Sequence, residues 1–533
     1  MTFFRSVSAF SLFLISILSN ASAQERNTAP ALYTNPVLHA DFSDPDVIRD
    51  GDRFILTVSS FQESPALPLL TSPDLVHWTI IGHAMDSLPS QRFSIPRFGD
   101  GVWAPSIRKH DGWYYIYFGD PDTGIFMVRS KTVTGKWNAP VLVKSGKGLI
   151  DPCPLWDDDG SAYLVHAWAK SRAGFNSMLT VNRMNSDGTT VTDSGRFVYD
   201  AHEKHPTMEG PKFYKFHGEY YIFAPAGGVK QGWQTVLRGP TPYGPWRDSI
   251  VLRQGSTDVN GPHQGAWVTD TAGASWFLHF QDRGAYGRIL HLQPMVWQDG
   301  WPVMGKNGEP VTQHTMPASG TQIHSGSLQS SDDFNETVLS PQWQWNANAR
   351  PHWASLTDYP GSLRLFAVPR RADQSGLTAQ PNLLLQKFPA RSFNISVTID
   401  AAHLREGEQC GIGVTGAASS FLLITRYRGK LEAIRTICTD ALTGREDSVI
   451  TRQPLSAAVT EVRLRVDSNA VCTYSFRVAQ GATGVIGPSF TAVAGRWIGA
   501  RFALVAAAEA GSTTTGFADI DGVIVTTDEK EER

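Results

Sequence analysis

Five residues with chemically useful side chains recur along the first half of the chain. Each stands seven to ten residues before a glycine that opens a short strand pattern. The set contains three carboxylates, one indole and one imidazole: Asp44, Asp151, Glu209, Trp103 and His263. Two carboxylates that flank a glycosidic bond can protonate its oxygen and either activate water or attack the sugar. We therefore expect the three acids to form a hydrolytic site for sugars.

The spacing of the glycines indicates the elements that position these residues. Successive spacings are 61, 48, 58 and 55 residues, between Gly51, Gly112, Gly160, Gly218 and Gly273. Each unit has room for about four short strands, which is the size of a propeller blade. Because the first strand of each blade lines the central channel, a shared register predicts that the five side chains meet in one pit. We predict a five-bladed β-propeller over residues 33–305.

Each of the three acids precedes a proline, directly or after one glycine, and an apolar strand follows. Proline lacks an N–H and fixes φ, so it suits the start of a strand better than its interior. The acids Asp44, Asp151 and Glu209 are therefore expected at strand mouths that face a cavity. One would donate a proton, one would attack or activate water, and like-charge repulsion from the third would raise the donor's pKa.

Four positions are candidate sugar-binding residues, and two of them, Trp103 and His263, belong to the set above. Phe61, which ends Val58-Ser-Ser-Phe, and Trp103 either stack under a sugar or belong to a blade core. His263 is a hydrogen-bonding partner of the site, a ligand for a central ion or water, or a satisfied channel histidine. Arg288 holds sugar hydroxyls, pairs with one of the acids, or is solvated at the surface. No metal-ligand spacing accompanies the lone histidine, so we assign no metal ligand.

Bulk properties restrict the partners and the compartment. The chain has 533 residues, too many for one core, and a net charge of −3 that argues against nucleic acid as a partner. Residues 1–23 resemble a signal peptide: Arg5, the apolar run Ala9 to Leu18 and an Ala-Ser-Ala cleavage site before Gln24. The run is short for a membrane span, although an uncleaved anchor is the alternative. We expect a secreted or periplasmic protein that is free of the membrane after cleavage.

The pattern changes after the propeller. Residues 306–330 are rich in Gly, Ser, Thr, Pro and Gln and are predicted to form a linker or surface strap. Residues 331–527 show long strands with clean alternation, which predicts a β-sandwich. The end of the chain, 528–533, is a charged tail. The fold class is therefore all-β, with a propeller followed by a sandwich.

The four cysteines are too few for a disulfide scaffold. Cys153 lies two residues after Asp151, and no histidine base is evident beside it, so it is interpreted as a buried packing residue. Cys410, Cys438 and Cys472 all lie in the second domain, where one bridge and one remaining thiol are possible.

The motifs of the first domain together resemble glycoside hydrolase family 43, five-bladed propellers that act on xylose- and arabinose-containing glycans. They include Ser43-Asp-Pro-Asp-Val-Ile-Arg, Trp103-Ala-Pro-Ser, Ile150-Asp-Pro, Met208-Glu-Gly-Pro and Pro262-His-Gln-Gly-Ala-Trp. The resemblance implies that Asp44 is the general base, Glu209 the general acid, and Asp151 the acid that tunes and orients the donor. It places Phe61, Trp103, His263 and Arg288 around the sugar. It also implies inversion at the anomeric carbon by direct attack of water.

The second domain resembles the jelly-roll, concanavalin-like sandwich that follows many family members. Ser331-Asp-Asp-Phe and Gln342-Trp-Gln-Trp-Asn match its opening, and Gly516-Phe-Ala-Asp-Ile-Asp matches its closing strand. The family usually has an aromatic residue soon after the second Asp of this strand, whereas Gly522-Val follows Asp521 here. In such enzymes a sandwich loop can close the pit and enforce exo action, but no loop can be given that role from this sequence.

These observations predict an exo-acting glycosidase that releases xylose or arabinofuranose from plant cell-wall glycans of the xylan, arabinoxylan or arabinan type. The chemistry requires no cofactor, and a structural or central calcium is possible. One alternative is a retaining fructosidase-type propeller, although Ile150-Asp-Pro and Glu209-Gly differ from its usual Arg-Asp-Pro and Glu-Cys. The other is a non-catalytic glycan-binding propeller, which would tolerate the loss of acids that are all present here.

Overall fold

The computed structural model describes residues 1–2, 31–319, 328–478, 481, 483–513 and 515–527. Residues 3–23 of the predicted signal peptide and the charged tail 528–533 lie outside these ranges. The secondary structure is almost entirely strand, with one short α-helix, Lys170–Ala173. Five 3-10 turns accompany it in the described residues: Gln91–Ser94, Gly284–Tyr286, Pro351–Trp353, Leu377–Ala379 and Ala441–Thr443. Among the described helices, none is long and apolar enough to cross a membrane.

The first domain contains five antiparallel sheets of four strands each, which confirms the predicted propeller. In each sheet the strands follow chain order from the inner to the outer edge. Blade by blade, the strands are Asp46–Asp50, Arg53–Thr57, Ala66–Ser72 and Thr79–Met85; Trp103–His110, Trp113–Asp120, Gly124–Ser130 and Val141–Ser145; Leu149–Trp156, Ala162–Trp168, Met178–Met184 and Arg196–Asp200; Lys212–Phe216, Glu219–Ala226, Trp233–Gly239 and Arg247–Arg253; His263–Thr269, Ser275–Asp282, Arg288–Gln298 and Trp301–Met304.

The ring closes between blade five and blade one. The inner strand of blade five, His263–Thr269, contacts the inner strand of blade one, Asp46–Asp50. The chain before blade one reinforces this closure, since Leu38 and Leu290 exchange backbone hydrogen bonds. In addition, Leu32–Thr34 pairs with Gln313–Thr315, so part of the predicted linker is a strand that ties both ends of the propeller together.

The second domain is a sandwich of two sheets, as predicted. The first sheet has the order Gln344–Trp345, Leu384–Lys387, Arg501–Ala508, Gln409–Thr415, Ser419–Tyr427, Lys430–Cys438 and Ser448–Pro454, with Val368–Pro369 added beside Arg501–Ala508. The second has the order Ala354–Ser355, Leu363–Phe366, Phe517–Thr527, Phe393–Asp400, Val459–Val466, Val471–Val478 and Gly484–Val485, with Phe490–Thr491 added beside Val471–Val478. Alternating apolar residues, such as Ile395, Val397 and Ile399, fill the space between the sheets.

A buried ion-pair cluster joins the two domains. Arg501, on a central strand of the sandwich, contacts Glu63 through Nε and Asp41 through Nη1, each at 2.8 Å. Asp41 also accepts backbone hydrogen bonds from Gly499 of the sandwich and from Arg288 of blade five. Burial raises the pKa of Asp41, but the nearby cations Arg501 and Lys387 and these hydrogen bonds lower it below its usual value. The cluster fixes the sandwich loop 494–499 beside the propeller.

The four cysteines are buried and free. A bridge among Cys410, Cys438 and Cys472, considered possible from the sequence, is therefore absent. The strand register explains this, because each of the three lies opposite a residue other than cysteine in the neighbouring strands. Cys153 is a packing residue, as expected; its sulfur accepts hydrogen bonds from the Phe213 backbone N–H and from Arg108.

Candidate active site

Every blade has one residue with left-handed backbone at the start of its inner strand. Their φ angles lie between 32° and 59°, at Asp44, Ala104, Asp151, Gly210 and Gln264. Four of the five directly precede a proline, and the ladder is interrupted by a bulge at this point in blades two, three and five. Because such backbone is unfavourable for L-residues, its repetition marks a position where side-chain direction is functionally important.

These left-handed residues correct the expectation of a single shared register. We expected all five site residues in one register, but Asp44 and Asp151 are themselves the left-handed residues. Trp103, Glu209 and His263 each come one position earlier. Distance to the following glycine cannot reveal this offset, because a bulge adds a residue and changes the side of the strand to which a side chain points. The structure nevertheless brings all five to the same end of the propeller channel.

Asp44 is almost fully buried and surrounded by donors. Arg288 Nη1 contacts its Oδ1 at 2.7 Å. Its Oδ2 accepts hydrogen bonds from the hydroxyls of Ser59, at 2.6 Å, and Ser43, at 2.9 Å. Arg288 Nη1 also donates to Ser43 Oγ at 2.7 Å, and Ser59 Oγ accepts from the Ala104 N–H at 2.8 Å. This set of donors holds the Asp44 carboxyl in one orientation.

Asp151 and Glu209 lie next to each other across a blade boundary. Asp151 Oδ2 accepts the backbone N–H of Gly210, the residue that follows Glu209, at 2.7 Å. The Glu209 carboxyl accepts no hydrogen bond from the described residues, and 36% of its side chain is exposed. His263 Nε2 lies 3.7 Å from its Oε1, too long for a hydrogen bond.

The charges and burial around Glu209 give its carboxyl a pKa well above that of an ordinary glutamate. The pKa of Glu209 is raised to about 8. Burial is the largest cause, the charges of Asp151 and, to a smaller extent, Asp44 act in the same direction, and Arg288 opposes them. Burial and Asp44 also raise the pKa of Asp151, against the effect of the Gly210 N–H. Because only Asp151 receives a backbone hydrogen bond, Glu209 is the member of this pair that keeps its proton at higher pH.

His263 is buried and neutral. Burial and the charge of Arg288 lower the pKa of His263 to about 3. Neither ring nitrogen has a hydrogen-bond partner among the described residues, and the ring packs against Phe280 at 5.5 Å between centroids. A neutral imidazole with a free nitrogen near Glu209 can exchange a hydrogen bond with a bound sugar or water.

Aromatic rings form one wall of the pit. Phe61 and Trp103 lie edge to face, with centroids 6.4 Å apart. The sandwich loop 494–499 also places Trp497 against Trp103, with centroids 6.2 Å apart. Trp497 is 43% exposed and has a φ of 67°. The second domain therefore contributes an aromatic ring to the rim of the pit.

The structure brings together all seven residues selected from the sequence. Their roles in chemistry and binding stay predictions. Sequence reasoning missed Ser43, Ser59 and Trp497. A signal for the two serines was available, because Ser43 directly precedes Asp44 and Ser59 lies two residues before Phe61. Trp497 had no such signal, because its place depends on how the two domains pack.

The described residues contain no group of three or more His, Cys, Asp or Glu side chains that could hold a metal ion. The calcium considered from the sequence therefore stays a prediction.

Comparison with known proteins gives the same assignment for both domains. The family model "Glycosyl hydrolases family 43" matches residues 33–302, more than half of the chain. The model "Beta xylosidase C-terminal Concanavalin A-like domain" matches residues 331–526. These ranges follow the propeller and the sandwich described above.

Relatives include a protein named "Putative beta-xylosidase" from Xylanibacter ruminicola, 42% identical over 368 residues. That match covers 67% of this chain and 66% of the relative. A non-reducing end alpha-L-arabinofuranosidase from Bacteroides ovatus is 30% identical over 526 residues, covering 92% of this chain and 94% of the relative. A solved structure described as Bacteroides ovatus Xyloglucan PUL GH43B has a TM-score of 0.81 and 25% identity, covering 93% of this chain and 100% of that one. The chain thus spans slightly less than two thirds of the first relative and nearly all of the second.

Proposed function

Because this chain belongs to glycosyl hydrolase family 43, we propose that it is an inverting exo-glycosidase that removes terminal xylose or arabinofuranose from plant cell-wall glycans. The observation that carries the proposal is the unequal environment of two carboxyls in one pit, Asp44 and Glu209. Family membership favours this reading over a glycan-binding propeller and over a fructosidase-type propeller.

Asp44 is the general base in this proposal. Arg288, Ser43 and Ser59 fix its orientation. A charged carboxylate can accept a proton from a water molecule as that water attacks the anomeric carbon. Since Asp44 itself makes no bond to the sugar, the configuration inverts in a single displacement.

Glu209 is the general acid. Its raised pKa keeps it protonated near neutral pH, and its exposed third faces the opening where a leaving group departs. Asp151 supports this state by like-charge repulsion, and its hydrogen bond to Gly210 fixes the backbone beside the donor. As the bond breaks, the Glu209 proton moves to the glycosidic oxygen.

Exo action fits the contact that Trp497 of the second domain makes with Trp103 on the inner strand of blade two, because such a contact can limit the site to one end of a glycan chain. Phe61, Trp103 and Trp497 form an aromatic wall that suits one terminal sugar ring. The names of the relatives include both xylosidases and an arabinofuranosidase, so both pentoses are proposed as substrates. We also propose export, on the basis of the signal-like residues 1–23.

The test has two parts. Aryl β-xyloside and aryl α-arabinofuranoside, assayed side by side, identify the sugar, and the Asp44→Asn protein is the matched inactive control. Proton NMR of the first sugar released from the better substrate then reports its anomeric form. We expect the inverted anomer. Release of the retained anomer would reject direct attack by water, and no turnover of either pentoside would reject the proposed substrates.

A further inference from the structure

Blade three has an aromatic cluster on the face of the propeller that carries the pit. Three rings form it, and we call them the blade-three platform: Trp168, Phe175 and Phe197. Their centroids are 4.9 Å apart for Trp168 and Phe175, and 6.1 and 6.2 Å from Phe197 to each of these. Phe197 is 61% exposed, and the other two rings are half-buried. A contiguous exposed aromatic cluster beside a binding site indicates a contact surface more strongly than a single exposed ring does.

The strand register places the platform at the same end of the blade as the acids. Trp168 lies opposite Leu149, two residues before Asp151. Phe197 lies opposite Thr180 on the outer strand, and the Trp168 indole N–H donates to Thr180 Oγ1 at 2.9 Å. This bond fixes the orientation of the indole. The platform therefore extends outward from the second strand of the blade to the fourth.

The segment 172–177 connects the platform to the pit. At one end, the Arg172 guanidinium carbon lies 5.6 Å from the centre of the Trp103 ring. At the other end, Ser177 Oγ accepts the N–H of Thr207, two residues before Glu209, at 2.8 Å. Phe175 is three residues from Arg172, so the two Cα atoms are at most about 11 Å apart. The platform thus continues the rim on the side of the proton donor, where the leaving group departs.

The charges around this path favour an uncharged ligand. Arg172 is the cation on the path, and it pairs with Asp100 at 2.7 Å and with Asp122 at 3.3 Å. Its charge is therefore already balanced by carboxylates. Flat aromatic faces beside balanced charges suit the apolar C–H face of a pyranose ring better than a phosphate or an acidic sugar.

We propose that the blade-three platform binds the leaving-group portion of a β-linked xylopyranose chain, beyond the residue next to the cleaved bond. This inference rests on the proposed function, because it assumes that a pentose is cleaved in the pit. It adds a preference for long substrates: a longer chain contacts more of the platform than a disaccharide does. Once the chain has been shortened so far that it no longer reaches Phe197, it loses its contact with the platform.

The variant Phe197→Ala tests the proposal, since an exposed ring can be removed without opening the core. We expect kcat/KM for xylohexaose to fall about three- to tenfold, the effect of losing one aromatic contact. The kcat/KM values for xylobiose and aryl β-xyloside should change less than about twofold. Tyr427→Ala is the matched control, because Tyr427 is a 44% exposed aromatic residue on the sandwich. An unchanged xylohexaose value, or an equal fall with all three substrates, would overturn the proposal.

A binding measurement separates this proposal from the proposed function. Calorimetry with xylohexaose in the Glu209→Gln background avoids hydrolysis, and adding Phe197→Ala should weaken binding by a similar factor. If the wild-type protein turns over no pentoside but still binds xylohexaose in a Phe197-dependent way, the proposed function fails and the platform stands. If binding does not depend on Phe197, the platform proposal fails whatever the activity.

Discussion

The two sides of the pit give their carboxyl groups, Asp44 and Glu209, opposite environments. On the Asp44 side, one guanidinium and two hydroxyls contact the carboxylate within 2.9 Å. On the Glu209 side, no described residue donates a hydrogen bond to the carboxyl, and Asp151 adds a like charge. The first environment holds a carboxyl in an ion pair with Arg288, whereas the second raises the pKa of Glu209 and favours its protonated form. One fold therefore provides a base and an acid at the same pH by distributing its donors unequally.

The largest expected effect comes from removing either member of the pair. Asp44→Asn and Glu209→Gln should each lower kcat on xylobiose by roughly 10²–10⁴, the usual contribution of a general acid or base. Both substitutions keep shape and remove the proton-transfer group, and circular dichroism verifies that the fold is kept. A loss below about tenfold for either variant would show that the two sides are not a catalytic pair.

The next effect tests the ion pair between Arg288 and Asp44. Arg288→Met should lower kcat/KM by about ten- to a hundredfold, since a hydrogen bond to a charged group contributes about 1.5–3 kcal/mol. Arg288→Lys is the matched control and should restore part of the activity, because it keeps the charge but not the planar guanidinium. A loss below about threefold for Arg288→Met would contradict a role for this ion pair in turnover.

The alkaline limb of the pH–kcat/KM profile tests the other side. In the wild-type protein, kcat/KM should fall as pH rises through the raised pKa of Glu209, about 8, because the deprotonated acid has no proton to donate. Asp151→Asn should move this limb to lower pH by removing a like charge. The limb should stay above the pKa range of an ordinary glutamate, because burial raises the pKa of Glu209 more than the charge of Asp151 does. An unchanged limb would contradict the role given to Asp151.

The smallest effect concerns stability. The folded-state pKa of Glu209 is raised, so the native protein binds this proton more tightly than the unfolded chain does. Stability from this group is therefore full below the unfolded pKa and is lost as pH rises to about 8. Glu209→Gln lacks this loss. The difference in unfolding temperature, variant minus wild type, should therefore become more positive as pH rises from about 4.5, the ordinary glutamate pKa, to about 8.5, just above the raised pKa. A constant difference across the range would contradict the raised pKa.

The sequence was sufficient for the fold class because its signals are local. Glycine spacing and Asp-Pro motifs lie within single blades, and the alternation of residues such as Ile395, Val397 and Ile399 lies within one strand. The acids could be selected for the same reason. Their one-residue offset could not, because the bulge at Asp151 and the left-handed turn at Asp44 depend on pairing with neighbouring strands.

The missed residues depend on contacts between distant segments. Trp497 contacts Trp103 from a loop that stands beside the propeller, where Arg501 pairs with Asp41 and Glu63 across the domain boundary. Removing one partner of such a buried ion pair leaves an uncompensated charge and lowers the free energy of unfolding by about 3–5 kcal/mol. That cluster is assembled from three separate segments, and no spacing in the chain predicts it.

The proton on Glu209 is the central claim, and the most direct measurement is the dependence of rate on the leaving group. A series of aryl β-xylosides, with leaving-group phenols of increasing pKa, is assayed with the wild-type and Glu209→Gln proteins. We predict that kcat/KM changes little along the series for the wild type and falls steeply for Glu209→Gln, because only the variant must expel an unprotonated phenolate. Parallel dependences in the two proteins would contradict the assignment of Glu209 as the proton donor.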